Sequence, residues 1–128
     1  MSSRVGLAPA LAIGLLALTA SAAAHHGAGL FEPEKKVTHV GTVTEFQFVN
    51  PHVLVYWSVT GDDGKELVWS GELTSPNRLA RMEGAAKWHK DILKPGDRVT
   101  IEGHPARNGA PAMNITKIVD GDGNVLIQ

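Results

Sequence analysis

Apolar residues recur at alternate positions in several short stretches of the chain, and this period of two predicts β-strands. Val53, Val55, Trp57 and Val59 give the clearest example, because they place one apolar face on a strand that begins at His52. Clusters of turn-forming residues separate the stretches. The predicted strands are residues 37–49, 52–60, 66–73, 98–102, 112–119 and 125–127.

The first predicted strand changes phase in its middle. Gly41 and Val43 share one phase, whereas Phe46 and Phe48 share the other. A phase change near Thr44 requires a bulge or a sharp bend, and a glycine inside a strand permits strong coiling. A long, bent first strand is what a small closed barrel uses to serve two sheets.

The segment after the third strand predicts a helix. Ser75 is a favourable N-cap and Pro76 suits the first helical position, so we expect a short helix over residues 77–83. A second helical turn is expected over residues 88–93, ended by the following Pro95.

Three strands, a helix and two or three further strands form the order of an OB-type barrel. The predicted fold class is therefore mainly β: a small five- to six-stranded OB-like Greek-key barrel over residues 37–128, with one short helix between strands three and four. An open β-sandwich is the alternative. The bent first strand and the position of the helix favour the barrel.

The first 24 residues have the features of a secretory signal peptide. Arg4 precedes an apolar stretch over residues 7–19, and small residues end at Ala24. The stretch is shorter than the roughly 20 residues that span a bilayer, although a retained membrane anchor is the alternative. We expect cleavage after Ala24, a lead-in over residues 25–36, no later transmembrane segment, and a periplasmic location.

The composition of the chain limits the kinds of site and partner that it can have. The chain has no cysteine, which excludes disulfides, thiolate metal sites and thiol catalysis. Its formal net charge of −1 argues against nucleic acid as a partner. Motifs of nucleophilic hydrolases, P-loop enzymes and zinc proteases are absent from the sequence, so no enzyme is predicted.

Histidines are the leading candidates for a site. Cleavage after Ala24 would make His25 the first residue, and its α-amino nitrogen and ring Nδ1 could then bind one metal ion. Imidazole and amine nitrogens suit copper. His26, His52 and Glu72 complete the predicted metal site. The alternatives are a frayed tail for the first two histidines, a hydrogen-bonded turn for His52 and a solvated carboxylate for Glu72.

The other histidines and the methionines are predicted to have structural roles. We expect His39, His89 and His104 to be structural or solvated rather than ligands. Met82 and Met113 are possible ligands for reduced copper, but methionines in periodic segments usually fill a core.

Several short motifs resemble a family of secreted proteobacterial proteins whose function is unknown. They are Ala24-His25-His26, Gly41-Thr42-Val43, Asn50-Pro51-His52, Ser75-Pro76-Asn77-Arg78-Leu79 and Lys94-Pro95-Gly96-Asp97. The resemblance covers nearly all of the chain after residue 24 and implies marked positions but no activity. Those positions are His25, His26, Asn50, Pro51, His52, Ser75, Pro76 and Asn77. The chain departs from the family pattern at Gly27-Ala28-Gly29, where a serine and an aromatic residue are usual.

Three functional hypotheses follow. The first is a small periplasmic binding protein that holds a transition metal, with copper favoured. The second is a non-enzymatic module that binds an envelope protein or an oligosaccharide through an aromatic barrel face. The third is a copper oxidase or oxygenase. The aromatic residues of the second hypothesis are Phe46, Phe48, Tyr56, Trp57 and Trp69, and their alternative role is to form the core.

Overall fold

The computed structural model describes residues 28–84 and 86–128. A 3-10 turn at Ala28–Leu30 precedes six strands and one short helix. The strands are β1 Val37–Gln47, β2 Leu54–Thr60, β3 Glu66–Glu72, β4 Arg98–Pro105, β5 Ala112–Asp120 and β6 Val125–Ile127, and the helix is α1 Pro76–Leu79. Within this part of the chain, no helix is long and apolar enough to cross a membrane.

The strands close into a barrel. Their order is β3-β2-β1-β4-β5-β6, and a parallel pairing between β3 and β5 joins the two sides of the sheet. Gly71 is the middle residue of β3 in that pairing and lies opposite Met113 of β5. Strands β1 to β5 therefore enclose a core, while β6 adds to the edge of β5. The predicted OB-like barrel, with its helix between β3 and β4, is confirmed.

Strand β1 serves both sides of the barrel. Its first half pairs with β4 and its second half pairs with β2. The register with β2 shifts between Val43 and Glu45, so the bulge lies where the phase change predicts it. Gly41 allows close contact at this bend, because a Cβ there would clash with the carbonyl oxygen of Ser58 and lie 2.9 Å from Cδ1 of Trp57.

The barrel interior holds the predicted apolar face of β2. Val53, Val55 and Trp57 have no exposed surface. The prediction is less accurate for β3, where Leu67 is 52% exposed although it shares a phase with Trp69. The physical reason is that β3 meets β5 only over its last three residues, Ser70, Gly71 and Glu72. The first half of β3 extends beyond this barrel closure.

The helix after β3 begins as predicted but is shorter. The Ser75 side chain accepts a hydrogen bond from the backbone nitrogen of Arg78, and Pro76 occupies the first turn. The helix ends at Leu79, which is buried, rather than at residue 83.

The second helical turn predicted over residues 88–93 is wrong. Side chains at both ends of this segment, Trp88 and Leu93, are buried in the core. The Trp88 indole donates a hydrogen bond to the carbonyl oxygen of Leu126, and the backbone nitrogen of Ala86 donates to the same oxygen. These contacts with β6 hold the chain in an irregular path, because they outweigh its local helical tendency.

Candidate functional site

A pocket of about 520 Å³ lies at one rim of the barrel. The rim forms where β2 begins and β3 ends, because these strands are antiparallel and Leu54 lies opposite Glu72. Strand β5 contributes the opposite wall through its parallel pairing with β3. The lining residues are Phe31, His52, Glu72, Leu73, Thr74, Arg78, Met82, Asn114, Ile115, Thr116, Ile127 and Gln128.

The rim brings His52 and Glu72 together. The Nδ1 atom of His52 lies 3.6 Å from an Oε atom of Glu72, and the two side chains are 34% and 20% exposed. Both residues are therefore accessible from the pocket without being fully solvated. Imidazole and carboxylate groups are ligands of transition metals, and a carboxylate beside a histidine also orients a ring that binds a metal.

The pocket has an apolar floor and a polar rim. Leu73, Ile115 and Ile127 form the floor and are each about nine-tenths or more buried. Thr116 is anchored in the wall because its hydroxyl donates to the carbonyl oxygen of Glu102. Arg78 projects from α1 at the rim. The titratable and charged side chains among the described lining residues are therefore one guanidinium, one carboxylate and one imidazole, and they lie above a hydrophobic base.

Two of the family-like motifs, residues 50–52 and 75–79, each include a residue that lines this pocket. Asn50 and Pro51 form an exposed turn with a cis peptide bond that leads into His52. Ser75 and Pro76 start α1 and thereby set the position of Arg78. These residues precede His52 and Arg78 in the chain. Within the two motifs, His52 and Arg78 are the residues that line the pocket.

Two of the predicted metal ligands, His25 and His26, lie outside the described residues. Phe31, at the start of the described chain, lines the same pocket as His52 and Glu72. Among residues 28–84 and 86–128, no cluster of three or more histidine, aspartate or glutamate side chains has the geometry of a metal site. His52 and Glu72 are thus an incomplete ligand set by themselves.

Three other histidines have local contacts in the fold. His39 accepts a hydrogen bond from the Trp57 indole at 3.4 Å. The Nδ1 atom of His104 lies 2.6 Å from the carbonyl oxygen of Lys35, so that nitrogen donates. His89 accepts from the backbone nitrogen of Asp91. None of these three histidines lines the rim pocket.

Met82 and Met113 differ in their surroundings. Met113 is fully buried and fills the core, as its periodic setting indicates. Met82 is 36% exposed and lines the pocket, so a core role for it is wrong. The helix ends at Leu79, and Met82 consequently does not continue the buried face that begins there.

The aromatic residues mostly form or support the core. Trp57 has no exposed surface, and Phe46, Phe48 and Trp69 pack against the core as partly buried residues. Tyr56 lies on the other face of β2, where it is half-buried. An aromatic face ready to stack on a sugar therefore has little support from the positions of these rings.

Sequence reasoning missed Arg78, Asn114 and Thr116 as pocket residues. Arg78 could have been identified from the sequence, because it directly follows the marked Asn77 in one motif. Asn114 and Thr116 could not, because only the parallel closure between β3 and β5 brings them to this rim.

The closed barrel and its rim pocket define the class of the protein as a small OB-like β-barrel domain with a polar-rimmed pocket. The chain belongs to the family of unknown function DUF6152, whose match spans residues 12–114 and includes His52, Glu72, Arg78 and Asn114. No curated protein matches the chain.

Proposed function

We propose that the protein is exported to the periplasm by a signal peptide over residues 1–24 and there holds a transition-metal ion at the barrel rim, with copper favoured. It acts as a small binding protein rather than an enzyme. The observation that carries this proposal is the 3.6 Å approach of His52 Nδ1 to Glu72 at the pocket.

The remaining ligands come from the lead-in. His26 precedes Phe31 by five residues, and five residues span at most about 17 Å. Because Phe31 lines the pocket, the chain is long enough to bring His25 and His26 to the rim. In the processed chain, the α-amino and ring nitrogens of His25 join the imidazole groups of His26 and His52, and Glu72 orients or binds from the side.

Copper is favoured over harder metals by this donor set. Imidazole and amine nitrogens suit copper, whereas magnesium and calcium prefer oxygen ligands. Binding displaces a proton from the α-amino group, whose ordinary pKa is about 7.7–8.0. The affinity of the protein for copper should therefore rise with pH through that range.

Calorimetric titration of the exported protein with Cu(II) tests the proposal. We expect His52→Ala combined with His25→Ala to abolish measurable binding, and Glu72→Gln to weaken it by at least about tenfold. His89→Ala is the matched control, because His89 is exposed, does not line the pocket, and accepts a hydrogen bond from the nearby backbone nitrogen of Asp91. Equal copper affinity in the double variant and in the control would overturn the metal site.

N-terminal sequencing of the exported protein tests the processing step separately. The expected first residue is His25. A cut at any other bond would remove the α-amino ligand, and a retained N-terminal segment would support the membrane anchor instead.

A further inference from the structure

We infer that the rim pocket binds a small amphipathic zwitterion, such as a short peptide with apolar side chains. The juxtaposition of Arg78, Glu72 and the apolar floor carries this inference. It goes beyond the proposed metal site, because the pocket extends past His52 and Glu72 and its binding of an organic ligand needs no metal.

The pocket has the size and composition of a small-molecule site. Its volume of about 520 Å³ lies within the range of roughly 300–1,000 Å³ typical of such sites. It is large for one amino acid and suits two or three residues. The floor of Leu73, Ile115 and Ile127 is apolar, and Phe31 and Met82 extend that surface up the walls. Apolar side chains of a ligand would bury their surface there.

Arg78 supplies the group that recognises an anion. Its guanidinium has no hydrogen-bond or ion-pair partner within the part of the chain that the structure describes. The cap that Ser75 makes on α1 holds the backbone at Arg78 in place. A guanidinium binds a carboxylate through two parallel hydrogen bonds, so the carboxylate of the ligand belongs at this side of the rim.

Glu72 makes the site selective for a zwitterion over a simple anion. Its carboxylate lines the same pocket as Arg78 and is 20% exposed. A ligand with only negative charge would be repelled by Glu72, whereas an ammonium group would be attracted and would donate hydrogen bonds to it. His52 faces Glu72 at 3.6 Å and is the remaining titratable side chain of the described lining.

The test is calorimetric titration of exported protein with L-leucyl-L-leucine, in the presence of EDTA to remove metals. We expect saturable binding by the wild type. Leucyl-leucine amide, which lacks the carboxylate, and N-acetyl-leucyl-leucine, which lacks the ammonium group, should each bind at least tenfold more weakly. Absence of binding by the dipeptide, or equal binding of all three compounds, would overturn the inference.

A matched pair of variants locates the site. Arg78→Gln should weaken dipeptide binding at least tenfold, whereas Arg81→Gln should not change it. Both arginines are exposed and lie three residues apart, but only Arg78 lines the pocket. Equal losses in the two variants would indicate a non-specific charge effect and would contradict the assignment.

Dipeptide binding and copper binding at this rim can be lost independently of each other. Arg78→Gln should retain the copper affinity of the wild type, because a guanidinium is not a copper ligand. Dipeptide binding without copper binding would leave the zwitterion site standing alone. Copper binding without dipeptide binding would refute the zwitterion site and leave the metal site intact.

Discussion

His39 and His52 are the same side chain in opposite surroundings. His39 is enclosed by two tryptophans: its ring meets Trp69 edge-on with centroids 4.3 Å apart, and its Nδ1 accepts from the Trp57 indole. His52 instead lies at the mouth of a pocket beside Glu72. One histidine is built into the packing of the barrel, and the other lines an open pocket.

The comparison shows that the surroundings of a histidine determine the pKa and the hydrogen bonding of its imidazole. Burial lowers the pKa of His39, because the tryptophan rings around it cannot replace the hydration of a charged ring. His39 is thereby kept neutral and accepts a hydrogen bond. The carboxylate beside His52 provides the kind of partner that orients metal-binding histidines. Mutations that act on stability should therefore concentrate around His39, and mutations that act on binding around His52.

The largest expected effect is at the centre of the enclosed cluster. Trp57→Ala should lower the free energy of unfolding by about 3–5 kcal/mol, the usual cost of removing a buried aromatic side chain, because Trp57 has no exposed surface. Chemical denaturation measures this loss. Val40→Ala, at a position 58% exposed, should change stability by less than about 0.5 kcal/mol. A decrease of less than about 1 kcal/mol in the free energy of unfolding of Trp57→Ala would contradict tight packing around Trp57.

A smaller loss is expected at the bend that brings His39 to the tryptophans. Gly41→Ala should destabilise the barrel by about 1–3 kcal/mol, because the new Cβ would clash with the Ser58 carbonyl oxygen and press on Trp57. Gly29→Ala is the control, since no heavy atom lies within 4 Å of a Cβ placed there. Equal unfolding midpoints for the two variants would show that the bend tolerates a side chain.

The contrast between the two histidines could be predicted only in part from sequence. The strands, the bulge near Thr44 and the cap at Ser75 follow from local pattern, because alternation, phase and capping are properties of neighbouring residues. A shared rim for His52 and Glu72 also follows, since a hairpin with a short turn places the start of one strand beside the end of the next.

The other features of the two histidine environments depend on long-range contacts, which no local sequence pattern predicts. The tryptophan cluster around His39 forms only when β1 coils over β2 and β3, and Asn114 reaches the pocket only through parallel closure with β3. The helical turn predicted over residues 88–93 failed for a related reason, because Trp88 is anchored to the backbone of Leu126, far along the chain.

The next effect concerns the acid sensitivity of the fold. The pKa of His39 lies below its ordinary value of 6.5 in the folded chain, so the unfolded chain binds its proton at a higher pH than the folded chain. The contribution of His39 is complete above about pH 6.5 and is lost as the pH falls through the lower folded pKa. The free energy of unfolding should therefore decrease between about pH 7 and about pH 5.

His39→Gln should make that decrease shallower when urea unfolding is compared at the two pH values. His89→Gln is the matched control and should retain the decrease, because it leaves His39 and both tryptophans in place. An NMR titration of His39 with a midpoint above 6.5 would contradict the burial of this ring and remove the basis of the comparison.

The smallest expected effect is on stability at the open histidine. Glu72→Gln removes the carboxylate beside His52 but leaves a side chain of the same size, so the free energy of unfolding should change by less than about 1 kcal/mol, because a partly exposed contact of this kind contributes little to stability. Glu66→Gln, at the exposed start of the same strand, is the control. If Glu72→Gln instead cost more than about 2 kcal/mol, the rim pair would be a structural element of the barrel like the cluster at His39. Copper or zwitterion affinity lost in that variant would then report on folding. A Glu72→Gln protein that keeps the stability of the wild type but has lost its affinity for copper or the zwitterion would show that this carboxylate acts in binding and not in folding.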